Sequence, residues 1–346
     1  MRFDYTLAAD FRNLSLRNAN QSPVLKIKWE PGINLILGPN GSGKTNLLET
    51  LSILTGWGAF TKTHNAIEWG KQNARLSAHL SGEEDFSLSA EISSRTSVRI
   101  NDKTVSFTDL RLSLPSIIFL TGSVNLIDAS PSSRRLFIDR LCSLFYPPFA
   151  KRLAEFKYIS RSRAALLRQG KSPDVTLIPF CKLGGWIMDA RREAVSLLMK
   201  MIPEDKFTLQ FMPLLRTSGE EYLLEMLKKN SRRESFALHP LDGPNYDELS
   251  IIITETHRPA YESLSRGQKR RLILYIIITA GKLIAMKLKR EPVLLFDDLT
   301  AELDSEGREF TYRELEKTKW QVFITAPENP FSQKRNKSVN IIMMPG

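Results

Sequence analysis

Gly38-Pro39-Asn40-Gly41-Ser42-Gly43-Lys44-Thr45 satisfies every fixed position of the pattern G-x-x-x-x-G-K-[ST]. The flanks agree with it. Ile33-Asn34-Leu35-Ile36-Leu37 is a short apolar run of the kind that forms a buried strand, and residues 44–53, free of Pro and Gly, read as a helix. Glycines at 38, 41 and 43 let the backbone turn tightly, so that successive N–H groups point inward at a polyphosphate. The following helix aims the positive end of its dipole at the same anion. In such a loop Lys44 reaches the β- and γ-phosphates, and the Thr45 hydroxyl supplies one ligand to Mg²⁺.

A second constellation lies far downstream. Leu264-Ser265-Arg266-Gly267-Gln268-Lys269-Arg270 opens a helix predicted to run to about residue 288. Ser265 stands where an N-cap belongs, and Gly267 permits close backbone approach to a bound phosphate. Pro292-Val293-Leu294-Leu295-Phe296-Asp297-Asp298 follows as a buried strand ending in two carboxylates, the Walker B form. There Asp297 is suited to holding Mg²⁺, and Asp298 to orienting or deprotonating an attacking water. Adjacent acids after an apolar strand are common alone, but three such elements in this order are not accidental.

Composition sets the bounds. The 346 residues, 42% hydrophobic and 25% charged, suit a globular protein of about two domains. No apolar run approaches the roughly 20 residues that span a bilayer, and the first residues lack a signal peptide's apolar core. The expectation is a cytoplasmic protein with no membrane partner. Cys142 and Cys181 have no C-x-x-C partners, and His64, His79, His239 and His257 show no ligand spacing. Net charge is +11, from 49 Lys and Arg against 38 Asp and Glu. Residues 131–200 hold 14 basic and 5 acidic side chains, a field that attracts a polyanion such as nucleic acid. A solvated basic face accounts for that surplus equally well.

The pattern along the chain gives an α/β organisation. Strands are predicted over 4–9, 25–30, 75–80, 86–92, 97–100, 104–107 and 116–120, with a hairpin at Asn101-Asp102. Helices are predicted over 134–145, 149–169 and 178–201, broken by Pro147-Pro148, Gly170 and Pro173 so that no long heptad seam survives. Sheet-like pattern returns at 207–212 and 249–254, around a helix over 220–229. The expected domains are a discontinuous head, 1–120 with 206–346, and a basic helical insert, 121–205.

Leu264 to Gln268 matches the L-S-x-G-Q signature of ATP-binding-cassette ATPases, and Ala301-Glu302-Leu303-Asp304 resembles their D-loop. From Lys44 to Ser265 is 221 positions, longer than a transporter ATPase subunit uses, while the long coiled coils of SMC proteins are missing. Over nearly its whole length the chain resembles the RecF family of recombination proteins. Phe11-Arg12-Asn13 resembles its F-R-N motif, and residues 38–49, GPNGSGKTNLLE, follow its extended loop closely. Ser130-Pro131-Ser132-Ser133-Arg134-Arg135, with Phe137 and Asp139, resembles the run that opens its helical lobe. Gln321-Val322-Phe323-Ile324-Thr325 resembles its last core strand, where Thr stands in for the transporters' switch His. Departures fall at Asn245-Tyr246, at Ala301 and at Thr121-Gly122-Ser123-Val124.

The resemblance implies an α/β fold: an ABC-type ATPase head, a P-loop core sheet plus an antiparallel β subdomain, with an inserted α-helical lobe. It implies ATP and Mg²⁺ as cofactors and slow, DNA-stimulated hydrolysis. Arg12, Asn13, Gly38, Pro39, Asn40, Gly41, Ser42, Gly43, Lys44, Thr45 and Asn46 would hold the nucleotide on one side, with Ser265, Gly267 and Gln268 contributed by a second copy. Thr45 and Asp297 would hold the metal, and Lys44 and Asp298 would serve hydrolysis. ATP would then drive a head-to-head homodimer on DNA, duplex or a duplex beside a single-stranded gap, with RecR and RecO as partners in loading recombinase. From the charge count, Arg134, Arg135, Lys151, Arg152, Arg161 and Arg163 are candidate phosphate contacts, although Arg134 and Arg135 are equally suited to bracing the lobe. A transport ATPase subunit, and a nucleotide-gated regulatory or defence protein acting on RNA or protein, are the competing readings.

Overall fold

The run at 33–37 is buried at every position and has a parallel strand on each side of it. The computed structural model describes residues 1–14, 24–60, 63–82, 84–120, 126–203, 206–300, 303–331 and 339–345. In chain order the first elements are β1 (Arg2–Ala9), β2 (Val24–Lys28), β3 (Ile33–Leu37), α1 (Lys44–Leu54), β4 (Ala74–Ser81), β5 (Phe86–Ile92), β6 (Thr96–Ile100), β7 (Lys103–Val105), α2 (Phe107–Ser113) and β8 (Ser116–Leu120). Next come α3 (Pro131–Phe145), α4 (Phe149–Arg168), α5 (Leu177–Met199), β9 (Phe207–Met212), α6 (Gly219–Ala237), β10 (Glu248–Ile253), β11 (Arg258–Pro259) and α7 (Ala260–Ser263). The last are α8 (Arg266–Leu288), β12 (Val293–Asp297), α9 (Ser305–Thr318), β13 (Val322–Ala326) and β14 (Val339–Met343).

The chain forms two units, residues 1–123 with 265–346, and residues 124–264. In the first, a five-stranded parallel sheet has the order β14-β3-β13-β12-β8. Its central strands are apolar throughout, as a sheet covered on both faces requires. A six-stranded antiparallel sheet, β2-β1-β4-β5-β6-β7, alternates instead, burying Leu76, Ala78 and Leu80 of β4 and leaving Arg75 exposed. Helix α1 packs against strands of both sheets, which is why residues 47–54 are all buried, Glu49, Thr50 and Ser52 included. Their polar atoms are satisfied locally: Glu49 accepts from Phe60 N (2.6 Å), and the Ser52 hydroxyl donates to Gly58 O (2.8 Å). Held on both sides, α1 presents its first turn at the C-terminal edge of the parallel sheet, where Asp297 and Thr325 also emerge. Ligands of open α/β sheets bind at this edge.

The hairpin at Asn101-Asp102 forms, with φ of 46° and 62° at the two turn residues. The strand predicted over 104–107 does not reach Phe107. Ser106 and Asp109 form a capping box that starts α2 there, the Ser106 hydroxyl accepting from Asp109 N at 3.1 Å.

The second unit corrects the expected domain boundary at 205. Strand β9 pairs with β10, which pairs with β11, so the sheet-like stretches after 206 close on each other rather than joining either sheet of the first unit. Helix α6, longer than the predicted 220–229, packs on α5 and belongs to the same unit. Buried ion pairs tie it together. Arg191, 3% exposed, meets Asp139 (2.8 Å) and Asp247 (2.7 Å), and Arg163 meets Glu234 at 2.7 Å. Burial alone would lower the Arg191 guanidinium, but its two carboxylates hold it above the usual arginine range.

Candidate nucleotide site

The loop after β3 and the ends of β12 and β13 enclose a cavity of about 500 Å³, lined by Asn13, residues 40–46, Asp297, Asp298, Thr300, Arg308 and residues 325–328, with Pro330. The glycine pattern has a local cause at two positions. Gly43 holds φ 90° as the N-cap of α1, and a Cβ on Gly38 would come within 2.7 Å of both Met344 O and Ser42 Oγ. Ser42 is buried beneath the turn, and among the described residues its hydroxyl has no hydrogen-bond partner. The Lys44 ammonium donates to Gly38 O (2.6 Å) and Pro39 O (2.8 Å), within the loop that it would serve. Burial lowers its pKa, and the negative charges of Asp297 and Asp298 oppose that shift.

Opposite the loop, the Thr45 hydroxyl lies 3.1 Å from Asp297 Oδ1, although the two residues are 252 positions apart. Thr325, paired in register with Asp297 on the neighbouring strand, donates its hydroxyl to Asp297 Oδ1 at 2.6 Å and accepts from Asp298 N at 2.9 Å. Asp298 sits at φ 53°, in the left-handed region. One threonine thus fixes both acids. The donor set suits Mg²⁺, a hard cation that takes one or two protein oxygens and completes its shell with phosphate and water.

The segment at 12–14 lies against the end of the loop: Asn46 Nδ2 donates to Arg12 O at 2.8 Å, and Asn13 lines the cavity. Pro39 turns the loop, accepting from Ser42 N at 3.2 Å. Arg12 itself does not line the cavity, and neither does Gly38.

Ser265, Gly267 and Gln268 line no part of that cavity either. They form the first turn of α8, where Gln268 Oε1 accepts from Ser265 N (2.9 Å) and Ser265 Oγ accepts from Gln268 N (3.4 Å), a reciprocal cap. A Cβ on Gly267 would meet nothing within 4 Å. One turn on, Arg270 Nη1 donates to Asp298 O and Leu299 O, each at 3.5 Å, so this helix touches the main chain that carries the second acid.

Sequence reasoning gave no role to Arg270, Thr300 or Arg308, whose only signal is position near the motifs. Arg308 lines the cavity, and its Nε donates to Leu303 O at 3.1 Å. Of the D-loop, Ala301 and Glu302 lie outside the described residues, while Asp304 caps α9 through Gly307 N (2.7 Å). Thr121-Gly122-Ser123-Val124 also lies outside them. Tyr246 stands in a short 3₁₀ turn, and its hydroxyl donates to Pro240 O at 2.6 Å.

The structure separates the six basic candidates. Arg163 is corrected: 3% exposed and paired with Glu234, it is a core residue and offers nothing to a phosphate. Arg134 is spent on Glu248 (2.6 Å), and Arg135 donates to Asp247 O (2.8 Å), so these two brace the second unit. Lys151 and Arg161 are exposed, and the Arg152 guanidinium stacks over Trp186 at 4.2 Å. Among the described residues no helix is long and apolar enough to cross a membrane.

The sequence model of the family described as RecF/RecN/SMC N terminal domain matches residues 10–346. A protein named DNA replication and repair protein RecF, from Shewanella baltica (strain OS223), is 30% identical over 312 residues, 86% of this chain and 86% of its own. One of the same name from Leptospira interrogans serovar Lai is 27% identical over 339 residues, covering 92% and 91%. Among solved structures, that of the recombination mediator protein RecF with ATPrS superposes with a TM-score of 0.83 at 21% identity, over 96% of this chain and 94% of the other. A Smc head domain from Pyrococcus furiosus superposes at 0.52 and 14% identity, over 95% and 90%. The fold is therefore the one shared by those RecF and Smc head structures.

Proposed function

Because this chain belongs to the RecF/RecN/SMC N-terminal domain family, and within it to the RecF proteins, we propose that it is an ATP-dependent DNA-binding protein of recombinational repair. ATP draws two copies together head to head on DNA, and slow hydrolysis, stimulated by DNA, releases them. One observation carries this reading. The loop, Thr45, Asp297 and Asp298 share a cavity to which the signature turn contributes nothing, and Gly267 has open space where a side chain would stand. A glycine near the start of a helix costs stability relative to alanine, so a glycine that the fold does not need points to contact with another molecule.

In the closed dimer, residues 40–46 with Asn13 hold the triphosphate of one copy, and Ser265, Gly267 and Gln268 of the second copy cap its γ-phosphate. Mg²⁺, held by Thr45 and Asp297, would neutralise charge on the phosphate oxygens. Lys44 turns from the carbonyls of its own loop to the β- and γ-phosphates, and Asp298 orients the attacking water. Lys151, Arg152 and Arg161 contact DNA phosphates, which gives salt-sensitive binding with little sequence preference. RecR and RecO are the partners this family implies, the task is helping to load recombinase at single-stranded gaps, and the compartment is the cytoplasm.

The test is sedimentation of the wild type and Lys44→Ala, with and without ATP and Mg²⁺, alongside titration of a gapped duplex at two salt concentrations. ATP should convert the wild type to a dimer that binds the duplex, and Lys44→Ala should stay monomeric. Asp298→Asn should bind ATP, hydrolyse it slowly and accumulate as dimer. A wild type that binds ATP yet remains a monomer on DNA refutes the reading.

A further inference from the structure

Helix α6 is pinned on one face and unusually furnished on the other. Leu223 and Leu227 are fully buried, Asn230 Nδ2 donates to Asp242 at 2.8 Å, and Glu234, 0% exposed, holds Arg163. These four recur at helical spacing, so they fix the rotation of the helix about its axis. Lys228, Lys229, Arg232, Arg233 and Phe236 therefore project together on the opposite face, and all five are exposed. Phe236 is 88% exposed. Among the described residues none of the four cations is in an ion pair, although Glu225 stands one turn before them. The helix stops immediately after the ring, at Leu238, which holds φ 61° although it is bulky and not glycine.

The charges alone have a plain explanation, since cations in the C-terminal half of a helix complement its dipole. The ring does not share it. A protruding aromatic set among unpaired cations is the arrangement by which proteins hold single strands, stacking a base on the ring and neutralising the backbone around it. A duplex hides its base faces in the stack and leaves such a ring nothing to bind, and an acidic peptide would use the cations alone. We infer that this face of α6 binds single-stranded DNA, with Phe236 stacked on a base and Lys228, Lys229, Arg232 and Arg233 on the flanking phosphates. From Lys228 to Phe236 the platform extends about 12 Å along the helix axis. The inference rests on the proposed function for DNA as the ligand, and adds which face of the second unit holds the unpaired strand.

The experiment uses the full chain with ATP and Mg²⁺ and four probes: dT20, rU20, a blunt 20-base-pair duplex and a poly-glutamate peptide. Phe236→Ala should weaken dT20 roughly 5- to 150-fold, the loss of one stacked base, with duplex affinity unchanged; Phe236→Trp should restore dT20 binding. The quadruple Ala variant of the four cations should flatten the slope of log K against log salt for dT20 by about 3, at roughly 0.7 per phosphate contact. Thermal melts should be unaltered for Phe236→Ala, because the ring is exposed. Equal loss on dT20 and duplex, no loss on dT20, tighter binding of rU20, or displacement of dT20 by poly-glutamate overturns this inference alone. A wild type that binds neither DNA overturns it together with the proposed function.

Discussion

Replacing Thr325 by Val removes a hydroxyl and little else, and the structure sets the size of the effect. The hydroxyl donates to the Asp297 carboxylate at 2.6 Å and accepts from Asp298 N at 2.9 Å, in a residue that is 1% exposed. A hydrogen bond to a charged group contributes about 1.5–3 kcal/mol and a neutral one about 0.5–1.5 kcal/mol. Valine is nearly isosteric with threonine, so no cavity term adds to these. The head should lose about 3 kcal/mol, which at a slope of roughly 2 kcal/mol per molar urea moves its midpoint down by about 1.5 M. Asp297 keeps the Thr45 hydroxyl at 3.1 Å, so affinity for ATP with Mg²⁺ should fall only a few-fold. Asp298 loses the anchor of its main chain, and turnover should fall at least tenfold. Thr325→Ser keeps both bonds, and should retain turnover while losing about 1 kcal/mol for one buried methyl. Urea titration and steady-state hydrolysis of the two variants are the assays. A valine variant with wild-type midpoint and wild-type turnover refutes the assignment of Thr325 as the residue that positions both acids.

Gly267→Ala should leave the monomer as stable as the wild type or more stable by up to about 1 kcal/mol, since no atom lies within 4 Å of the added carbon. It should nevertheless weaken ATP-driven dimerisation at least tenfold; sedimentation showing undiminished dimer would mean that the signature turn meets no nucleotide. Glu234→Ala should cost about 3–5 kcal/mol, because it strands the buried Arg163 guanidinium; a urea midpoint near that of the wild type would return Arg163 to the surface candidates. Burial pushes the Asp247 carboxyl up to about 6, against the pull of Arg191, and its Oδ1 is buried with no hydrogen-bond partner among the described residues. Because the folded state holds this proton more tightly than the unfolded chain does, the contribution is complete below about pH 4 and is lost as pH rises through 6. Asp247→Asn should remove that downward slope from the pH dependence of the urea midpoint, and an unchanged slope would assign it to another group.

What could be read in the sequence was local, and what could not was pairing across distance. The strand before the glycine-rich loop, the helix after it and the strand that ends at Asp297 are each specified by consecutive residues, and each formed as read. The capping box of Ser106 and Asp109 was just as local, but a β-branched stretch beside it read as a continuing strand. The domain boundary depended on which sheet takes Phe207–Met212, and its partner begins at Glu248, beyond an intervening helix. Charge was the weakest guide. Arg134, Arg135 and Arg163 meet Glu248, Asp247 and Glu234 at separations of 114, 112 and 71 positions, so a window that counted them as surplus could not contain the groups they bind. Conversely, Lys228, Lys229, Arg232 and Arg233 fell outside that window, although they are exposed.

The main chain at Asp298 is held from two directions, and the two holds differ in strength. Thr325 ties its N–H at 2.9 Å from the same sheet, while Arg270, one turn past Gly267, reaches the carbonyls of Asp298 and Leu299 at 3.5 Å from the signature helix. Bonds that long contribute little to stability, so their loss in Arg270→Ala should cost less than about 1 kcal/mol and move the urea midpoint by less than about 0.5 M. If, as proposed, a second copy's triphosphate docks on Ser265 and Gly267, a small displacement of the first turn of α8 would shorten or break these bonds and so re-aim Asp298. Turnover per site in the wild type should then rise with protein concentration as dimers form. In Arg270→Ala the dimer should still form, by sedimentation, but turnover per site should stay flat across the same range. If the variant keeps the wild-type concentration dependence, the signal from docked nucleotide to Asp298 travels by another route, and the D-loop becomes the place to look for it.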